Sequence, residues 1–240
     1  MLVAGATGAL GGLAATELDE RGALVALAGR NTGRLAARAA QLGGRPAHLM
    51  DAYDTDGCAA LVPWALDRLG GLNGVLVTVG VAGFGLAQEV PDMAAEHVFQ
   101  VNMLCPAAIL RPAVTFVADG GFLAAVTGAI VETPMRGTAD YAAAKTALSC
   151  WLSVLAREVR GRGLRVFDFR LPHLDTGFSD RPVTGRELPL AAGADPAAAV
   201  HTVVDQLAGV APSYDAPPRG APKGIRRWNP IVKVPGRPRA

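Results

Sequence analysis

Tyr141 and Lys145 stand four residues apart in "DYAAAKTALS" (140–149). On a helix that spacing puts both side chains on one face. An ammonium close to a phenol stabilises phenolate and draws the phenol pKa from about 10 toward neutrality. Such a tyrosine can give a proton to a carbonyl oxygen, or take one from an alcohol, while a cofactor handles the hydride. The pair alone is short enough to arise by chance, so its meaning depends on the elements around it.

One of those elements opens the chain. "LVAGA" (2–6) reads as a buried strand, and a helical pattern begins at Ala9. Gly5, Gly8 and Gly11 join the two, with Thr7, Ala9 and Leu10 between them. In a strand-turn-helix the first glycine permits the tight turn, the second lets backbone approach a pyrophosphate, and the third allows close helix packing. The phosphates would sit on the helix N-terminus, where free amides and the dipole favour an anion. The second strand ends "AGRN", with Arg30 and Asn31 where an NAD site wants a carboxylate for the ribose 2′-hydroxyl. A guanidinium with no acid beside it favours a 2′-phosphate, hence NADP(H) over NAD(H).

Further along, strands are expected at 23–29, 46–50, 74–79, 121–126 and 164–170. Helices are expected at 9–21, 32–42 (capped near Asn31), 55–69, 91–100, 101–117, 141–160 and 196–207. Apolar strands alternating with helices indicate an α/β fold, a doubly wound parallel sheet (Rossmann fold) in one domain, residues 1–211. Ligands then belong beyond the carboxyl ends of the strands.

The 240 residues are half hydrophobic and only 5% aromatic, which suits close helix–sheet packing and excludes a disordered chain. Cys58, Cys105 and Cys150 have no C-x-x-C spacing and read as reduced core thiols of a cytoplasmic protein. The four histidines show no metal-ligand spacing, so no metal is expected, and His97 and His201 read as surface residues. The N-terminus lacks the basic region of a leader, and the first strand starts almost at Met1, as if a few residues were clipped. No uninterrupted apolar stretch reaches the length of a membrane span. From Pro212 onward the chain carries seven basic residues, one acid and seven prolines, leaving net −4 on the residues before it. That segment, 212–240, reads as a flexible solvated tail, with no nucleic-acid partner expected; "NPIVKVP" (229–235) could add a short edge strand.

Taken together, "GATGALGG", "HLMDAYD", "VNMLCP", "YAAAKTAL" and "RLPHLDTGF" resemble, in order and spacing, the short-chain dehydrogenases/reductases over roughly residues 1–210. The resemblance implies an oxidoreductase acting on a small carbonyl or alcohol. Asp51 and Ala52 would flank the adenine, and Gly80 would lie beside the nicotinamide ribose. Asn102 would hold a relay water, Tyr141 would be the acid/base, and Lys145 would be its neighbour and ribose ligand. Pro172 and Thr176 would border the nicotinamide. Family relatives assemble as homodimers or homotetramers, here through residues 101–117 and 141–160.

The departures are as informative. The family's substrate-binding serine falls thirteen residues before the tyrosine, where this chain has Gly128. Thr127 next to it is the expected substitute. "TVGVAG" (78–83) replaces the asparagine-rich turn, and His173 stands where a glycine is usual. The glycine spacing is nearer the extended and atypical branches, yet the chain after Lys145 is too short for their substrate domain. The segment 178–193 has the length of a lid; its Arg181 and Arg186 would suit an anionic substrate or stand as solvated lid residues. Two other classes stay open: a non-catalytic NADP-binding sensor, and an isomerase or dehydratase on the same fold.

Overall fold

The computed structural model describes residues 1–209 together with Val232 and Lys233. Six short runs make the sheet: β1 Leu2–Ala4, β2 Ala26–Gly29, β3 Ala47–Leu49, β4 Gly74–Val77, β5 Phe122–Val126 and β6 Arg165–Arg170. All pair in parallel, in the order β3-β2-β1-β4-β5-β6, and β7 (Val232–Lys233) adds a parallel edge beside β6. The edge strand expected within 229–235 is therefore present, shortened to two residues. The rest of the proposed tail lies outside the described residues.

Strands β1, β2 and β4 are buried along their whole length, which is why they read as continuous Leu/Val/Ala runs without alternation. Helices cover both faces. On one side α3 (Thr55–Leu69), α5 (Cys105–Phe116) and α6 (Ala139–Glu158) pack Leu61, Ile109 and Leu152 against the sheet. On the other, α1 (Ala9–Glu20), α2 (Thr32–Gln41) and α7 (Pro196–Ala208) contribute Leu18, Leu35 and Val204. Strand β3 departs from the expected pattern: all three of its residues are exposed, because it forms a sheet edge.

Local chemistry sets the helix ends. Asn31 caps α2 by accepting from the Arg34 amide at 2.9 Å, as its position suggested. Asp54 caps α3 in the same way through Gly57, and Gly70 ends α3 in the left-handed conformation. The two helices expected at 91–100 and 101–117 are one continuous run. Between α4 (Asp92–Phe99) and α5 lies a π turn, Gln100–Leu104, which carries Asn102. This run, Asp92–Phe116, is long and apolar enough to cross a membrane by composition, yet more than half of its most apolar 18-residue window is buried inside the protein, where the run packs on α3 and α6. Its apolarity is that of a core helix.

Cys58 and Cys105 are buried between α3 and α5, but Cys150 is exposed on α6, so only two of the three cysteines are core thiols. Neighbouring strands β1 and β4 send their connections to opposite faces, opening the crevice above their carboxyl ends where ligands are expected.

Candidate active site

A cavity of about 1160 Å³ lies along that crevice. One end is built by the turn between β1 and α1. Gly5 has φ +93° and its amide donates to Ala28 O, while the Gly8 amide donates back to Gly5 O at 2.9 Å. A side chain on Gly11 would fall on the Gly5 carbonyl and within 2.5 Å of Thr78 Oγ1. These contacts press α1 against the turn, leaving its N-terminal amides facing the cavity. Thr7, Ala9 and Leu10 line the same end, as expected.

The crevice floor at the far end is formed by Arg30, Asn31 and Arg34 after β2, and by Asp51 and Ala52 after β3. No acid follows β2. Asn31 lines the cavity, but its side-chain oxygen is spent on the α2 cap. Arg34 was missed by sequence reasoning because it lies one turn inside α2. His97, expected at the surface, instead lines this end half-buried, stacked on Tyr53 and hydrogen-bonded to its hydroxyl at 2.7 Å. His201 does sit at the surface, paired with Glu17.

In the middle, Gly80 is the narrow point. A Cβ there would approach Asn102 Oδ1 at 3.0 Å and Lys145 Nζ at 3.2 Å. Asn102 does not line the cavity. Its amide is fully buried and donates to Val81 O (3.0 Å) and Val98 O (2.9 Å), while its oxygen accepts from Val81 N. The side chain therefore clamps the 79–82 loop to the C-terminal end of α4. Both amide hydrogens are spent on that clamp, so the side chain has none left to give a relay water.

Tyr141 and Lys145 face the cavity from one side of α6. Burial pushes the Tyr141 phenol above its ordinary range and holds the Lys145 ammonium down at about 8, against an upward pull from Asp168. This corrects the expected lowering of the phenol. Lys145 Nζ donates to Val126 O at 3.0 Å, and desolvation outweighs whatever charge the ammonium lends Tyr141. The phenol is thus held protonated at neutral pH.

Thr127 corrects a second expectation. It lines the cavity wall, but its hydroxyl donates to Asp168 on β6, and the residue is 1% exposed. Gly128, in the family's serine position, has φ +100° and ψ 160°, a region open essentially only to glycine. A serine could not simply occupy it. Neither residue offers a hydroxyl beside Tyr141.

Around Tyr141 the wall is apolar. Phe84 stands edge-on to its ring at 6.2 Å between centroids, and Phe178 lies at 6.3 Å. Ile130, Met135 and Leu190 complete this end, and Pro172 and Thr176 line the cavity beside it. The segment 178–193 closes over it: Val183 N donates to Ala82 O (2.8 Å) and Phe84 N to Thr184 O (3.0 Å). Arg181 reaches the cavity, yet its guanidinium is bound to the carbonyls of Gly177 and Thr176, and Arg186 does not line it. Of the two readings of these arginines, the anion site is the one the structure does not build. His173 is exposed at the cavity rim, 3.4 Å from Ser179 Oγ. Among the described residues no group of histidines, cysteines and acids could hold a metal.

The fit to a dinucleotide rests on the close-packed glycine turn, where a Cβ on Gly11 would fall on Gly5 and Thr78, and on the narrow point at Gly80, where one would crowd Asn102 and Lys145. The family model for short-chain dehydrogenases matches residues 1–184. An uncharacterized NAD-dependent oxidoreductase of Mycobacterium tuberculosis is 31% identical over 144 residues, 58% of this chain and 52% of that protein. The chain spans about half the length of the curated relatives it matches. A short-chain oxidoreductase of Thermus thermophilus superposes with a TM-score of 0.73 at 29% identity, covering 90% of this chain and 96% of that one. An alcohol dehydrogenase of Thermococcus sibiricus, solved with 5-hydroxy-NADP, shares the fold at 19% identity (TM-score 0.78, 97% and 93% covered). With the match spanning both the glycine turn and the Tyr141 helix, the chain belongs to the short-chain dehydrogenases, a family of oxidoreductases with the Rossmann fold.

Proposed function

We propose that this protein is an NADPH-dependent reductase of small, neutral carbonyl compounds, with Tyr141 as the proton donor. The observation that carries the reading is Tyr141 set between Phe84 and Phe178 in the wall of the crevice, with Lys145 one helical turn away on the same wall. When bound, the nicotinamide supplies the hydride. The chain does the rest. Phe84, Phe178 and the closed lid exclude water from the carbonyl, which strengthens every polar contact left inside. The Tyr141 hydroxyl hydrogen-bonds the carbonyl oxygen and passes its proton as negative charge develops there. Lys145, anchored on Val126 O, meets the developing phenolate with positive charge. Asn102 fixes the loop carrying Gly80, so that the ring and the phenol keep one geometry.

The direct test is loss of NADPH absorbance with aryl and alkyl ketones and aldehydes, set against keto acids of similar size. Faster turnover of the keto acids would sink the neutral-substrate reading. Phe178→Ala should raise KM for an aryl ketone about tenfold, the worth of a lost aromatic contact and its burial, with kcat changed less. Equal loss for aryl and short alkyl ketones would remove Phe178 from the recognition surface.

The preference for NADPH is supported by Arg30 and Arg34 with no acid after β2. Replacing both with alanine should weaken NADPH binding at least about tenfold, as loss of a charge-assisted contact does, and leave NADH binding nearly unchanged. Fluorescence titration with each cofactor reads this directly; a parallel loss for NADH would refute it.

We also read the protein as a cytoplasmic homodimer or homotetramer. Exposed Leu104 at the end of the π turn, Phe116 on α5 and Val154 on α6 support an interface there, and light scattering checks it. A second reading, a nicotinamide-binding sensor, draws on the diversion of Thr127 to Asp168. Tight NADPH binding without turnover across the carbonyl panel would favour it.

A further inference from the structure

Below the Tyr141–Lys145 pair lies a buried polar cluster that proton transfer to the substrate does not use. Asp168, in the middle of β6, is 8% exposed. One carboxylate oxygen accepts from Thr127 at the end of β5. The other accepts from Ser149 Oγ on α6 (2.6 Å) and from Arg170 Nε (2.9 Å). Arg170 also donates to Ser149 Oγ at 2.8 Å and pairs with Glu132 at 3.1 Å. Tyr141, Lys145 and Ser149 follow one another at four-residue steps, so one face of α6 presents all three. The carboxylate thus ties together the strand end that anchors Lys145, the turn of α6 that follows Lys145, and β6.

Burying an acid in a sheet core costs several kcal/mol unless it is paired and hydrogen-bonded, as this one is. Replacing such a group by an apolar residue is often neutral or better for stability alone, so its presence asks for another role. The lysine usage points the same way. Lys145 is the first of only three lysines, Lys223 and Lys233 being the others, in a chain with twenty arginines. A guanidinium is always charged, whereas an ammonium loses its proton readily when buried. At this position the chain uses the cation whose charge its surroundings can set.

We propose that Asp168 is a positioning residue for Lys145: held by Thr127, Ser149 and Arg170, its carboxylate keeps the Lys145 ammonium charged and stationed on the Val126 carbonyl. Thr127, in place of a substrate hydroxyl, serves this device. Among the described residues, the groups facing Lys145 are few. β5 offers the Val126 carbonyl, β6 offers Asp168 with Arg170 behind it, and Glu132 from the 129–138 segment is engaged by Arg170. Its own helix offers Tyr141, and the π turn and the loop after β4 offer only neutral Asn102 and Gly80. Burial alone lowers Lys145, Asp168 opposes it, and the balance is about 8.

The inference rests on the reading of Tyr141 and Lys145 as the working pair, but its test does not need turnover. With three lysines, 13C-ε-lysine labelling resolves the Lys145 titration by NMR, assigned with Lys145→Met. Asp168→Asn keeps the shape and removes the charge; Lys145 should then titrate lower by about one pH unit, a tenfold change in its proton affinity. Arg170→Gln removes the opposing cation, and Lys145 should titrate higher. The basic limb of kcat against pH should move with each shift. Opposite shifts are a signature that loss of packing cannot produce. An unmoved Lys145 in Asp168→Asn, or shifts of the same sign in both variants, overturns the proposal. Should Asp168→Asn fail to fold, Arg170→Gln decides: an upward shift supports the assignment, and no shift or a downward one overturns it. Absence of ketone reduction by the wild type would strike the functional reading and leave the Lys145 titration to judge this one.

Discussion

Tyr141→Phe is expected to lower kcat for ketone reduction by about 10²–10⁴-fold, the usual worth of a positioned acid, and to leave NADPH affinity within about twofold. The change removes one oxygen from a half-buried side chain. Its ring contacts with Phe84 and Phe178 do not involve that oxygen, so the apolar wall and the fold are preserved. What disappears is the phenolic proton itself, which burial makes harder to remove. In the wild type, activity in the reduction direction should hold across neutral pH and fall on the alkaline side, as Lys145 gives up its proton near 8. The sign follows from Lys145: below that value the ammonium is charged and can meet a developing phenolate, and above it the charge is gone. A phenylalanine variant that still turns over within about tenfold of wild type would remove Tyr141 from the chemistry.

The second large effect concerns the cradle. Gly11→Ala is expected to weaken NADPH binding at least about tenfold and to lower stability by about 1–3 kcal/mol, the range for overpacking a tight contact. The added methyl would meet the Gly5 carbonyl and Thr78 Oγ1, both fixed: the first by the turn, the second by its bond to Ala4 O at 3.1 Å. Relief requires α1 to move away from β1 and β4, which carries its N-terminal amides off the cavity. Gly8→Ala makes a useful contrast. There the nearest atom would be Gly5 O at 3.3 Å, so stability should change less while close approach to a phosphate is still obstructed. Thermal melts and fluorescence titration of the two variants separate packing from binding. Equal melting losses for both would contradict the assignment.

Most of the frame was legible in the residues because it is written in short-range signals. The central strands β1, β2, β4 and β5 were apolar runs, and the helices had a period or a cap, Asn31 before α2 being one. The glycine turn and the Tyr141–Lys145 spacing survived for the same reason, since each is a local pattern. What the residues did not disclose depends on contacts between distant segments. "VNMLCP" does not announce a π turn, because nothing local distinguishes Asn102 from a helical asparagine until its amide meets Val81. Asp168 sits in "RVFDFR" as one polar residue among apolar ones, and its partners come from positions 127, 149 and 170. Phe84 and Phe178 become one wall only once the lid is laid on the loop after β4. Arg181 looked like an anion ligand because its charge is visible in sequence and its carbonyl partners are not.

The backbone at Gly128 has a consequence for descent and for redesign. Because φ +100° with ψ 160° excludes a side chain without about 1–3 kcal/mol of strain, reverting Gly128 to serine restores the family's text without its geometry. The backbone there is held by the Ala129 amide on Leu171 O and the Thr127 amide on Phe169 O, so it cannot relax alone. A lineage that took this turn could regain the serine only by reshaping the β5 exit and releasing Thr127 from Asp168 together. A single Gly128→Ser step carries that strain with it, so a directed-evolution route to a serine-assisted site would begin at the strand end rather than at the missing residue.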